Sequence, residues 1–214
     1  MHASPRPVIV VYADIWCPFT HVGLRAAVEQ RARVGRADMG IRVRAWPLEL
    51  VNGAPLDPMV TRDHVDELRE QVAPGLFAGF DPDHFPRSTL DALALANRAY
   101  RTGPAVGERM SLALRDALFE EGRDISDPAT LEEIRRDLGV GAPEGTDRDE
   151  VLADWHGGRQ RGVLGSPHFF CGDDDVFCPT LDISRDPVTG LTISRDASRL
   201  TAFLGRCLGD GQTS

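Results

Sequence analysis

The sequence predicts an α/β fold in which a βαβ unit opens the chain, a helical block follows and a ββα unit closes it. Three observations carry this. The β-branched run "PVIVVYA" gives way at Pro18 to a helical pattern. From about residue 58 to 154 the signals are helical. β character then returns in "GVLGSPHFF" and "VFCPTLDI".

The first run lacks alternation, as a strand buried on both faces does. From Pro18, "PFTHVGLRAAVEQRARVG" sets Val22, Ala26 and Ala27 on one helical face. "IRVRAWPLEL" alternates and reads as a second strand ended by Pro47. Strand, helix and strand in this order predict a βαβ unit with a right-handed crossover. Four helical segments follow: "MVTRDHVDELREQV", "RSTLDALALANRAYRTG", "GERMSLALRDALFEEG" and "DPATLEEIRRDLG". In the last, Asp127 is the expected N-cap and Pro128 occupies the first turn. "GVGAPEGTD", residues 139–147, reads as a loop. "GVLGSPHFF" and "VFCPTLDI" bracket "CGDDD" as a hairpin, "DASRLTAFLGRCLG" is a final amphipathic helix, and "DGQTS" a frayed tail. The expected domains are a discontinuous core, residues 6–56 and 155–208, and a helical insertion, residues 57–154.

Composition excludes several classes. The chain has 214 residues, 42% hydrophobic and 27% charged, enough to bury a core. Its formal charge of −9, with no basic block, argues against a nucleic-acid backbone or an anionic membrane as partner. No apolar run reaches the length of a membrane span. "MHASPRP" and the short run after it do not make a signal peptide, so a cytoplasmic location is expected. Four cysteines, Cys17, Cys171, Cys178 and Cys207, are too few for a disulfide scaffold. Their spacing lacks the paired short gaps of a zinc site, and no metal is expected.

The stretch "ADIWCPFTHVG" sets Cys17 where a strand meets a helix. A helix N-terminus stabilises the thiolate, the reactive form, and can lower a thiol pKa from about 8.5 to roughly 3.5–7.5. Thr20, three residues on, is expected to donate its hydroxyl to the sulfur. His21, on the same face, adds positive charge when protonated. The alternatives are a small buried cysteine, a first-turn threonine and a partly exposed histidine without a catalytic role. Trp16 and Phe19 flank the thiol and either line an apolar substrate surface or pack in the core. Cys171 and Cys178 with the acidic run between them read as a hairpin rather than a metal site, and Cys207 as core packing. Nothing in the sequence ties His64 or His84 to the site.

Three features in this order resemble the DsbA-like branch of the thioredoxin superfamily. They are "D-x-x-C-P" after the first strand, the helical insertion running through "DALFEEGRDISDPATLEEIRRDLGV", and "GVLGSPHFF". The branch includes cytoplasmic FrnE-type oxidoreductases, 2-hydroxychromene-2-carboxylate isomerases and kappa-class glutathione transferases. The resemblance covers nearly the whole chain and implies a thioredoxin-like core with an inserted α-helical domain. It also implies that Pro167 is a cis-proline facing Cys17, with Ser166 before it.

The oxidoreductases of the branch carry Cys-Pro-x-Cys, whereas this chain has Cys17, Pro18, Phe19 and Thr20. The isomerases and transferases have Ser at the first position, so the chain matches neither pattern fully. Thr20 cannot resolve a mixed disulfide. With Pro167 against Cys17, Cys171 would lie four residues further along a strand, roughly 13 Å away at about 3.3 Å per residue. A disulfide needs Cα atoms within about 7 Å. The leading expectation is therefore a DsbA-like thiol-disulfide oxidoreductase with one active-site cysteine and no tightly bound cofactor. A low-molecular-weight thiol, glutathione or mycothiol, would be its small-molecule partner, paired as an added strand along Leu164, Gly165 and Ser166. The alternatives are a glutathione- or mycothiol-dependent isomerase or transferase, and a non-catalytic binding module on the same scaffold.

Overall fold

The computed structural model describes residues 8–36, 38–186 and 190–209. "MHASPRP" and the expected tail "DGQTS" lie outside the described residues. Strand β1 (Val8–Ala13) runs parallel to β2 (Gly40–Ala45), and helix α1 (Pro18–Arg33) joins them. β1 is buried on both faces as expected. Ile9, Val11 and Ala13 pack with Leu24 and Ala27 of α1 and with Phe203, while Tyr12 packs with Trp46 and Phe170 on the other side. β3 (His168–Cys171) pairs antiparallel to β1, and β4 (Asp174–Phe177) antiparallel to β3, which gives the order β2-β1-β3-β4.

Helix α2 (Leu48–Asn52) follows β2, and α3 (Pro58–Gln71), α4 (Leu90–Thr102), α5 (Pro104–Phe119), α6 (Pro128–Asp137) and α7 (Gly145–Arg161) make up the helical block between β2 and β3. Asp127 caps α6, its carboxylate accepting from the amides of Ala129 and Thr130 with Pro128 in the first turn. Two expectations are corrected. The loop read at residues 139–147 ends early, because Glu144 and Asp147 form a reciprocal capping box that starts α7. α7 then runs unbroken through the residue 154/155 boundary, with few apolar residues to announce it. It is held to β2 by Glu150 on Arg42 (2.8 Å) and by Asp154 on Arg44.

The second correction concerns "VFCPTLDI", which is not one strand. The backbone turns at Cys178, where φ is 43°, a left-handed value rare outside glycine. The remainder forms β5 (Leu181–Asp186), paired with β6 (Gly190–Arg195) as a separate two-stranded sheet. Helix α8 (Ala197–Gly209) closes the described chain.

The outer edge of β2 is capped by side chains of the block. The amide of Ile41 donates to Glu108 (3.1 Å), that of Val43 to Tyr100 Oη (2.8 Å) and that of Ala45 to Asp154 (3.1 Å). Tyr100 Oη in turn donates to the Ile41 carbonyl (3.1 Å). Tyr100 can reach because Gly107 of α5 has no side chain; a Cβ there would lie 2.1 Å from the tyrosine ring.

Candidate active site

Cys17 is the N-cap residue of α1, and its carbonyl accepts from the amides of Thr20 (3.1 Å) and His21 (3.2 Å). Pro18 follows in the first turn, where its missing N–H costs nothing. The cysteine is only 4% exposed. Its Sγ donates to the carbonyl of Ser166 at 3.1 Å. Ser166 lies 149 residues away in sequence and precedes Pro167 across a cis peptide bond. The Ser166 hydroxyl bonds Thr20 Oγ1 at 2.8 Å and accepts from the Asp14 amide at 2.9 Å. Gly23 lets α1 approach this segment, for a Cβ there would sit 3.3 Å from the Pro167 ring. Cys17, Thr20 and Ser166 thus form one neutral hydrogen-bonded cluster beside Pro167.

The expected depression of the thiol pKa is reversed. Burial pushes Cys17 up from the ordinary thiol value, and the Asp14 carboxylate pushes the same way. Hydrogen bonds from Thr20 and Ser166 act downward without outweighing burial. The resting sulfur is therefore a protonated thiol, consistent with its role as donor to Ser166.

His21 has its own partner. Its Nε2 meets Glu120 Oε1 at 2.6 Å, and its ring packs against Phe77 and Phe119. Burial lowers its pKa, so it stays neutral near pH 7 and its Nε2–H donates a hydrogen bond to the carboxylate. Burial alone would raise Glu120, but hydrogen bonds from His21 and from the amides of Phe77 and Ala78 hold it at about 2. Trp16, expected on a substrate surface, is fully buried and stacks on Phe85 with centroids 5.6 Å apart. It packs against the insertion.

Phe19 is half-buried and faces a cavity of about 330 Å³ shared with His64, Ser166, Phe177, Cys178 and Ile183. His64, which no sequence signal tied to the site, packs against Phe19 with centroids 5.3 Å apart and the rings tilted by 55°. His84 stays on the surface with Asp81. Leu164 is 74% exposed, its amide donating to His168 Nδ1 at 3.1 Å, and Gly165 lies against the Phe177 ring. The Cys178 amide donates to the Pro167 carbonyl at 3.0 Å. Burial, with the nearby Cys17, pushes the Cys178 thiol up to about 12.

Sequence reasoning missed the charged layer beneath Cys17. Asp14 is fully buried; its carboxylate accepts from the amides of Ile15 (2.7 Å) and Leu48 (2.5 Å). Burial lifts it to about 6 despite these bonds. Arg115 of α5 is also fully buried and donates to the Asp14 carbonyl (2.9 Å) and to the carbonyl and hydroxyl of Ser111 (both 2.7 Å). Among the described residues its Nε has no partner, and burial lowers its pKa to about 10. The "D-x-x-C-P" spacing marked Asp14, but nothing in sequence pointed to a partner 101 residues on.

The fold is shared with known proteins. The solved structures it resembles include a probable DsbA oxidoreductase from Streptomyces coelicolor, at 21% identity and TM-score 0.67, covering 98% of this chain and 92% of that one. The cytosolic disulfide reductase DsbM from Pseudomonas aeruginosa matches at 16% identity and TM-score 0.60, covering 94% and 98%. A 2-hydroxychromene-2-carboxylate isomerase matches at 18% identity and TM-score 0.59, covering 79% and 88%. No curated protein matches the chain. A family model described as DSBA-like thioredoxin domain matches residues 8–184, and the chain belongs to that family.

Proposed function

We propose that the protein is a thiol-disulfide oxidoreductase acting through a single thiol, Cys17, with glutathione or mycothiol completing each turnover. The reading rests on one observation, the 3.1 Å hydrogen bond from Cys17 Sγ to the carbonyl of Ser166. That carbonyl, just before Pro167, is the acceptor an extended ligand backbone would use when it pairs along Leu164, Gly165 and Ser166. A docking ligand N–H would displace the thiol from it. The sulfur then loses the acceptor that favours its protonated form, while the Thr20 hydroxyl, itself bonded to the Ser166 hydroxyl, remains to stabilise the thiolate.

The thiolate attacks one sulfur of a bound disulfide, and the other sulfur leaves and takes up a proton. A second thiol from solution then attacks the mixed disulfide, returning Cys17 and releasing a new disulfide. Phe19 and His64 would contact the apolar part of the substrate. A structure of DsbM with GSH has the same fold, at TM-score 0.59, which supports a glutathione-like partner and a cytoplasmic setting. Among the described residues no helix is long and apolar enough to cross a membrane.

The protonated resting thiol favours a second reading, an isomerase or transferase in which Cys17 S–H and Thr20 O–H donate to the sulfur of a bound thiol cofactor. One experiment separates the readings. The reduced protein and its Cys17→Ser variant are mixed with glutathione disulfide or mycothiol disulfide, and the adducts are mapped by mass spectrometry. An adduct at Cys17 that excess thiol removes is the expected result. Saturable binding of the reduced thiol without any adduct would establish the cofactor reading. Neither adduct nor binding would leave a binding module on the scaffold.

A further inference from the structure

Away from Cys17, the same sheet brings two other cysteines together. Phe169 of β3 and Phe203 of α8 meet edge to face, with ring centroids 6.4 Å apart. Cys171 lies two residues beyond Phe169 on the same strand face. Cys207 lies four residues beyond Phe203 on the same helix face. Two strand residues advance about 6.6 Å and four helical residues about 6 Å, so one contact brings the next into register.

An ion pair fixes that register from the side. Cys171 pairs with Asp174 across the β3–β4 turn. Asp174 takes two hydrogen bonds from Arg206, the neighbour of Cys207, at 2.6 and 3.3 Å. Cys207 is buried and hydrogen-bonds Cys171, which is half-buried and within reach of solvent.

We propose that Cys171 and Cys207 are a reversible dithiol–disulfide pair that staples α8 to the sheet under oxidising conditions. A low-molecular-weight disulfide is the oxidant. The Cys171 thiolate attacks one of its sulfurs, forming a mixed disulfide and releasing one thiol. Cys207 loses its proton to solvent and attacks Cys171 Sγ; the second small thiol leaves and takes up a proton. Two protein thiols are oxidised and one small disulfide is reduced to two thiols. The pair needs nothing from Cys17.

The test uses the full chain carrying Cys17→Ser, so that exchange at Cys17 adds no signal. The reduced variant is treated with glutathione disulfide, quenched in acid and digested without reductant. A cross-linked peptide joining Cys171 to Cys207 is expected, with a Tm raised by roughly 5 °C that returns on reduction. In Cys207→Ala the same treatment should stop at a stable glutathione adduct on Cys171. Should Cys207→Ala fail to fold, Cys171→Ser, at the half-exposed position, should abolish both the cross-link and the Tm rise. If both cysteines remain fully alkylatable after oxidation, or cross-link to other residues, the pair does not exist.

Discussion

The two sides of Cys17 differ in kind. Towards β3 it meets neutral dipoles: the carbonyl and hydroxyl of Ser166 and the hydroxyl of Thr20. Towards the inserted helices lie charged or ionisable groups: Asp14, Arg115, and the pair His21 and Glu120. The second group is richer in charge yet does less for the sulfur, and its members are held by partners of their own. Asp14 is held by two backbone amides, Arg115 by Ser111 and the Asp14 carbonyl, and His21 by Glu120. Of these charges Asp14 acts on the thiol, and it raises its pKa in the same sense as burial, whereas the Thr20 and Ser166 dipoles oppose burial.

The largest expected effect comes from turning the neutral side into a redox partner. Thr20 N–H already bonds the Cys17 carbonyl at 3.1 Å, so the turn has the shape a Cys-Pro-x-Cys pair uses. Thr20→Cys should form an intramolecular disulfide with Cys17 and free disulfide exchange from its need for an added thiol. Turnover assayed with and without glutathione reads this directly; continued dependence would mean that the two sulfurs do not meet.

Next comes the charged side. Arg115→Met removes a buried cation and leaves the Asp14 and Ser111 carbonyls short of a donor. A loss of about 3–5 kcal/mol is expected in urea unfolding. A loss under about 1 kcal/mol would mean that the layer is packing alone.

Asp14 should give a smaller, pH-dependent signature. Its folded value of about 6 lies above the ordinary 3.8, so the folded state binds the proton more tightly. The resulting stability, about 3 kcal/mol, is fully present below pH 4 and is lost as pH rises through about 6. Unfolding midpoints of wild type and Asp14→Asn from pH 4 to 7 should differ in slope, with the variant flatter. Equal slopes would show that the carboxyl does not titrate across that range.

The finest test sets the two sides against each other. Thr20→Val should raise the apparent pKa of Cys17 and slow its alkylation several-fold at fixed pH, because the Thr20 hydrogen bond lowers it. Glu120→Gln should leave that pKa unchanged, since the carboxylate answers to His21. If Glu120→Gln moves the thiol more than Thr20→Val does, the distinction between the two sides fails.

The sequence made local features legible and left cross-chain ones hidden. Strand β1 showed in its β-branched run, and the α6 cap in Asp127 and Pro128, because neighbouring residues carry those signals. The link from Cys17 to the segment at Pro167 was legible only through the motif resemblance. Helix α7 was obscured because its buried face carries Asp147, Val151, Asp154 and Gly158 rather than an apolar stripe. The break at Cys178 was hidden because a left-handed cysteine carries none of glycine's warning. Glu120 gave no hint of its partner, 99 residues earlier in the chain.

The capped edge of β2 has a consequence for how this molecule meets copies of itself. An uncovered edge strand is a template on which another chain can extend the sheet, the usual first step of aggregation. Glu108, Tyr100 and Asp154 satisfy the outward amides of β2, so an incoming strand would have to displace three partners to gain its first bonds. The opposite edge, β4, is four residues long and carries Asp174 and Asp175, a poor docking rail for a neutral strand. The insertion therefore protects the sheet from self-association as well as walling the thiol, and Tyr100 is its latch. Without that hydroxyl, Val43 N–H and the Ile41 carbonyl would be left buried without their partner, at a cost in stability.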